Sequence, residues 1–169
     1  MRIAFSAVPL RTIAAVLVLA GSALGCDPGP TPPPGTSRLV VCPTTTTRTT
    51  QAIIGPLGGT LSLAGTVIGI PNGALSVPTL ITVTIPASQY MEVDVTANDL
   101  LSFVFNKDIG IRIDYSRCTD PALATSKLSV WHIDSATKEL LEFMGGVDNK
   151  SQRYIEFTTG HLSAYAVAF

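Results

Sequence analysis

Apolar and polar residues alternate in a series of short runs along most of the chain. In residues 79–86, TLITVTIP, isoleucine and valine alternate with threonine until a proline closes the run. Residues 109–113, IGIRI, have an isoleucine at every second position. A period of two is typical of a β-strand with one buried face, so both runs are predicted to be strands.

The same pattern recurs between residues that favour turns, chiefly glycine, proline and asparagine. Further strands are predicted within GGTLSLAG, TVIGI, YMEVDV, LLSFVF, VWHID, KELLEF, RYIEF and LSAYAVAF. No segment keeps the 3.6-residue period of an amphipathic helix over ten or more residues. Many short, evenly spaced strands predict an all-β fold, an antiparallel β-sandwich over residues 51–169, which is long enough to bury its own core.

The first 25 residues have a different composition. Arg2 and Arg11 precede an uncharged, mostly apolar run over residues 12–25, which ends in small residues. This order is typical of a secretory signal, so residues 1–25 are predicted to be a signal peptide. A permanent transmembrane helix is the alternative, but it needs about 20 apolar residues and this run is shorter.

Cys26 follows the signal in the sequence SALGC, which resembles the lipobox of bacterial lipoproteins. The resemblance implies cleavage before Cys26 and acylation of its thiol, and several acyl chains on one residue anchor a protein stably in a lipid bilayer. The expected location is the bacterial cell envelope, outside the cytoplasm and attached to a membrane. An ordinary signal peptide followed by a chance cysteine is the alternative.

Residues 26–50 are predicted to be a tether between the lipidated cysteine and the sandwich. The stretch DPGPTPPPGT at residues 27–36 favours extended polyproline conformations and cannot form a core. The threonine-rich run Thr44–Thr50 is consistent with an extended strand, a second linker or a stretch of glycan acceptors. If Cys42 pairs with a cysteine of the domain, this part of the tether is fixed to the domain.

Two cysteines remain once Cys26 is assigned to the anchor. An even number of cysteines in an exported chain predicts a disulfide, here between Cys42 and Cys118. Two buried free thiols are the alternative. No cofactor is predicted, and no metal site either, because the chain lacks a CxxC pair or any Cys/His ligand spacing and has two histidines.

The charge of the chain argues against nucleic acid as a partner. Residues 1–25 contain two of the 11 basic residues and no acidic residue, so nine basic and 12 acidic residues remain, a net charge of −3. No basic run or patch is present in the sequence.

The stretch GGTLSLAGTVIGIPNGALSVPTLITVTIP resembles the opening of the ZU-five domain, the β-sandwich module of ankyrins, netrin receptors and zonula-occludens proteins. Gly58 and Gly59 match its glycine pair, and Pro71 and Gly73 lie in its Ile-Pro-x-Gly-Ala-Leu segment. The resemblance extends over most of residues 55–169. It implies a ZU-five-like sandwich, but a fold signature does not fix a function.

The resemblance also draws attention to the triplet His161–Leu162–Ser163. In some self-cleaving β-rich domains, such a triplet breaks its own chain, with the serine as nucleophile and the histidine as base. By resemblance, the Leu162–Ser163 bond would break, provided that the peptide is strained. The alternative is a structural role, in which the triplet begins the last strand.

These observations favour a non-enzymatic interaction module with an envelope protein or a polysaccharide as its partner. Self-cleavage at Leu162–Ser163 is the first alternative. A carbohydrate-binding module, with Trp131, Tyr90, Tyr115 and Tyr154 as a sugar platform, is the second.

Overall fold

A computed structural model describes residues 37–100 and 102–169. The predictions for the signal peptide, for Cys26 and for the proline-rich stretch lie outside the described residues. The strands are β1 (Val41–Thr44), β2 (Arg48–Ile54), β3 (Gly59–Leu63), β4 (Thr66–Ile70), β5 (Thr79–Ile85), β6 (Ser88–Tyr90), β7 (Glu92–Ala97), β8 (Val104–Asp114), β9 (Ser129–Ile133), β10 (Leu140–Gly145), β11 (Val147–Asn149), β12 (Tyr154–His161) and β13 (Ala164–Ala168). One turn of 3-10 helix, Pro121–Ala124, interrupts them.

Two antiparallel sheets form the body of the protein, which confirms the predicted antiparallel β-sandwich. The six-stranded sheet has the order β10-β9-β13-β7-β5-β2, and the five-stranded sheet has the order β11-β12-β8-β4-β3. A short pair, β1-β6, adds to them. The edge strands β2 and β3 are consecutive in the chain, as are β10 and β11, so the chain changes sheet at both lateral edges of the sandwich.

The core lies between the two sheets. The isoleucine and valine positions that alternate with threonine in β5 are buried, and so are the three alternating isoleucines of β8. Burial of such side chains contributes about 1.5–3 kcal/mol each. The predicted inward faces of both strands are therefore confirmed.

Strand β13 departs from the simple alternation of one buried and one solvated face. All five of its residues are buried, because both of its faces are covered: Tyr165 and Val167 lie in the main core and the alanines in a second cluster. On its outer face, the small side chains of Ala164, Ala166 and Ala168 pack in a second apolar cluster with Leu39 and Ile133. Local alternation cannot reveal that a strand is covered on both sides.

The predicted disulfide is present between Cys42 and Cys118, which are 76 residues apart in the sequence. Arg117, next to Cys118, donates hydrogen bonds to the Pro43 carbonyl (3.0 Å) and to the Thr44 hydroxyl (2.8 Å). Both the disulfide and the arginine therefore fix the segment before β2 to the body of the domain.

The boundary predicted between residues 50 and 51 lies inside β2. All seven residues of β2 pair with β5, and the hydroxyls of Thr49 and Thr84 approach to 3.2 Å. The second half of the threonine run is therefore a strand of the sandwich and not a linker. The β-branched side chain of threonine suits this position in a sheet.

The glycine and proline residues of the resemblance meet in space. Gly58 has a φ of 79°, and a Cβ there would collide with the Ile70 carbonyl and the backbone of Pro71. Gly73 has a φ of 81°, and its N–H donates to the Pro56 carbonyl at 2.8 Å. The glycine pair and the turn thus form one backbone contact that admits no side chain at Gly58.

Candidate functional site

The triplet His161–Leu162–Ser163 marks the point where the chain passes from one sheet to the other. His161 is the last residue of β12, in the five-stranded sheet, and Ser163 directly precedes β13, in the six-stranded sheet. The Leu162 N–H donates to the Phe103 carbonyl at 2.9 Å, and the Ser163 carbonyl accepts from the Val95 N–H at 3.0 Å. Both sheets therefore hold the crossing in place.

The backbone of His161 has two further partners. Its N–H donates to the Thr159 hydroxyl at 3.2 Å, and its carbonyl accepts from the hydroxyls of Thr159 and Tyr165. Burial raises the pKa of Tyr165 to about 12, so its hydroxyl keeps its proton at neutral pH and remains a donor. Positive φ angles occur at other residues, and the peptide bonds of the described residues are trans. These contacts favour the structural role of the triplet, and cleavage stays a hypothesis.

The imidazole of His161 belongs to a group of three side chains, His132, Glu142 and His161, which we call the edge cluster. The Glu142 Oε2 atom lies 3.2 Å from His161 Nε2 and 3.7 Å from His132 Nδ1. The two imidazole rings are 5.6 Å apart, and the three ligand atoms lie within 4.8 Å of one another. One carboxylate oxygen is thus shared by two ring nitrogens.

Three strands from both sheets position the edge cluster. His132 in β9 pairs on one side with Tyr165 in β13 and on the other with Glu142 in β10. The register of β9 and β10 shifts between Leu140 and Glu142, so Glu142 lies opposite His132 rather than opposite Trp131. This β-bulge shifts the pairing of Glu142 by one residue. In a regular register, the Glu142 side chain would point to the outer face of the sheet.

The edge cluster adjoins a cavity of about 590 Å³. His132 and His161 line this cavity together with Phe103, Asp134 and Ser163. The side chains of His132, Glu142 and His161 are 25%, 56% and 32% exposed. Solvent therefore reaches the ring nitrogens, while the backbone that carries them is fixed.

A buried and a half-buried carboxylate, Glu92 and Asp94, form a separate charged group on the outer face of β7. The side chain of Glu92 is fully buried, and its Oε2 accepts from the Lys138 ammonium at 2.7 Å. Asp94 lies two residues further along the same face. Burial, and next the charge of Glu92, raise the pKa of Asp94, while Lys138 lowers it. Lys138 thus supplies the positive charge that this group needs.

Strand β2 is the most regular of the four strands at the sheet edges. It pairs over seven residues without a register shift, whereas β10 has two shifts, β3 has five residues and β11 has three. Arg48 is its one charged residue, it contains no proline, and Ile53 is 72% exposed. Long, flat edges with few charges are templates for pairing with another strand.

Cys42 and Cys118 form the predicted bond, and His161 and Ser163 lie in the sheet crossing. Gly58 lies against the backbone of Pro71, Gly59 pairs with Ile70, and Gly73 donates to the Pro56 carbonyl. Spacing along the chain could not reveal the edge cluster, because its three side chains come from three different strands. Within the described residues, no helix is both long and apolar enough to cross a membrane.

No protein-family model matches the chain, and no curated protein matches it. The described part of the chain is therefore a disulfide-linked antiparallel β-sandwich in which β2 is the longest edge strand.

Proposed function

We propose that this protein is a lipid-anchored, extracytoplasmic interaction module with a ZU-five-like fold and no enzymatic activity. The Cys42–Cys118 disulfide supports the location, because such bonds persist in oxidising compartments outside the bacterial cytoplasm. The sequence around Cys26 supports the anchor, and the meeting of the Gly58 and Pro71 segments gives the resemblance a structural reason.

The proposal of a protein partner rests on the edge strand β2. Its free side offers backbone donors and acceptors over seven residues, and an extended segment of another protein can pair with them as an added strand. The main-chain hydrogen bonds would provide affinity, and exposed side chains such as Ile53 would provide selectivity. Polysaccharide binding has weaker support, since Trp131 packs against Phe143 and Tyr115 is buried.

Replacement of Ile53 by lysine should weaken binding of the partner by about tenfold or more, because a charge on an edge strand opposes strand addition. Ile53 is exposed, so the free energy of unfolding should change by less than about 0.5 kcal/mol. Leu141→Lys, an equally drastic change at the exposed Leu141 of the opposite edge, is the matched control and should bind normally.

The partner can be identified by a photo-crosslinking amino acid placed at position 53 in the native host, with position 141 as the control. A protein adduct specific to position 53, and lost in a Gln51→Lys background, supports strand addition at β2. Equal adducts at both positions, or none at position 53, contradict it.

The proposed lipid anchor at Cys26 can be tested independently of binding at β2. Cys26→Ala should abolish incorporation of a fatty-acid probe and release the protein from the membrane fraction, because the acylated thiol is removed. The Cys42–Cys118 bond should still form in this variant. Retention of the probe in Cys26→Ala would show that acylation occurs elsewhere.

A further inference from the structure

The edge cluster has the composition of a metal site rather than that of a surface ion pair alone. Two imidazoles and one carboxylate supply three donor atoms, and the two ring nitrogens face the same carboxylate oxygen. His₂Glu is the ligand set of several catalytic zinc sites, which leave a further position to water. The cluster does not depend on the proposed binding at β2.

The spacing of the donor atoms suits a single small cation. Zinc bonds of about 2.0–2.2 Å at tetrahedral angles separate neighbouring ligand atoms by about 3.4 Å. The two observed separations from Glu142 Oε2, 3.2 Å to His161 and 3.7 Å to His132, bracket this value, and the two ring nitrogens lie within 4.8 Å of each other. Glu142 is more than half exposed, so its carboxylate can move without disturbing the core.

The backbone around the cluster is already held in place. His161 is fixed through Thr159 and Tyr165, and His132 through its pairs on both sides in the sheet. Because of the bulge in β10, Glu142 faces the two histidines. Bulges are often found where a side chain is re-aimed beside a functional site.

We propose that His132, Glu142 and His161 bind one divalent transition-metal ion of the zinc class. Imidazole nitrogen is a ligand for Zn²⁺, Co²⁺, Ni²⁺ and Cu²⁺, whereas Ca²⁺ and Mg²⁺ prefer oxygen ligands. The cavity beside the two histidines leaves room for a water molecule or a small anion as the fourth ligand.

The bound ion would join the two sheets. His132 and Glu142 belong to the six-stranded sheet and His161 to the five-stranded sheet, so the three bonds to the metal would cross the sandwich. An ion that binds the folded state alone stabilises it by linkage. At a free Zn²⁺ concentration one hundred times Kd, the Tm should rise by roughly 8 °C.

The test is a titration of the metal-free full chain with Co²⁺, followed by visible absorption and by displacement with Zn²⁺. A Cys26→Ser background removes the one thiol outside the disulfide. The expected result is saturable absorption at one ion per chain, and a Tm that rises with Zn²⁺. Glu142→Gln, His132→Ala and His161→Ala should each weaken binding more than about tenfold.

Glu139→Gln, an exposed glutamate in the same hairpin, is the matched control and should bind Co²⁺ like the parent. Glu142 lies at the surface, so its glutamine variant keeps the test valid even if a histidine variant does not fold. Absence of saturable absorption overturns the proposal. Binding that survives in Glu142→Gln, or that falls equally in Glu139→Gln, overturns it as well.

Discussion

Replacement of both Cys42 and Cys118 by alanine should lower the free energy of unfolding by about 4 kcal/mol. The bond closes a loop of 76 residues, and opening so long a loop returns a large conformational entropy to the unfolded chain. Both cysteines are also buried in the main core, so the alanines remove apolar contacts there. Few single features of a domain of this size contribute as much.

Urea unfolding followed by the fluorescence of Trp131, the one tryptophan, measures this loss. Reduction of the parent protein should give a similar loss without any substitution. Cys26→Ala should leave the unfolding curve unchanged, since Cys26 is not in the bond. A loss below about 1 kcal/mol in the reduced parent would mean that the Arg117 contacts, rather than the disulfide, hold the segment before β2.

Lys138→Met should cost about 3 kcal/mol at neutral pH, because it leaves the fully buried Glu92 carboxylate without its counter-charge. Methionine keeps the length of the side chain, and both residues accept the φ of 64° at position 138 equally poorly, so backbone strain cancels in the comparison. The double variant Glu92→Gln with Lys138→Met should recover much of the loss, since no unpaired charge remains buried.

The cost of Lys138→Met should depend on pH through Asp94. Its pKa is raised from the usual 3.8 by burial and by Glu92, and loss of Lys138 removes the one charge that lowers it. A carboxyl with a raised pKa in the folded state stabilises the fold below its unfolded pKa, and this contribution is lost as the pH rises through the folded pKa. The deficit of the variant should therefore shrink as the pH falls from about 7 towards about 4.

Denaturation of the parent and of Lys138→Met over this pH range measures the effect. Lys107→Met is the matched control, because Lys107 lies on the surface and donates to the Asn72 carbonyl instead of a carboxylate. Its effect should be small and independent of pH. A deficit of Lys138→Met that grows towards acid pH would contradict this account of the carboxylates on β7.

The strands could be predicted because their signal is local. A period of two decides which residues of β5 and β8 face inwards, and the burial of their isoleucines follows it. The disulfide could be predicted because two cysteines remained for one bond. The burial of both faces of β13 could not be predicted, because it depends on side chains from strands far away in the sequence.

The edge cluster could not be predicted from local sequence patterns either. Its three members come together through a one-residue register shift in β10 and through the crossing from β12 to β13. A regular register, which is the default for a predicted hairpin, would place Glu142 opposite Trp131 and away from His132. Register shifts of this kind arise from packing at the sheet edge, and no residue in KELLEF marks one.

The bridge between Leu39 and Ala168 places the start of the described chain beside the end of β13. Leu39 pairs with the far end of β13, and the Phe169 N–H donates to the Arg38 carbonyl at 2.9 Å. Ser163, directly before β13, lies five residues from Ala168, about 17 Å in an extended chain. If Cys26 is anchored as proposed, the edge cluster lies at the end of β13 away from the point where the tether joins the domain.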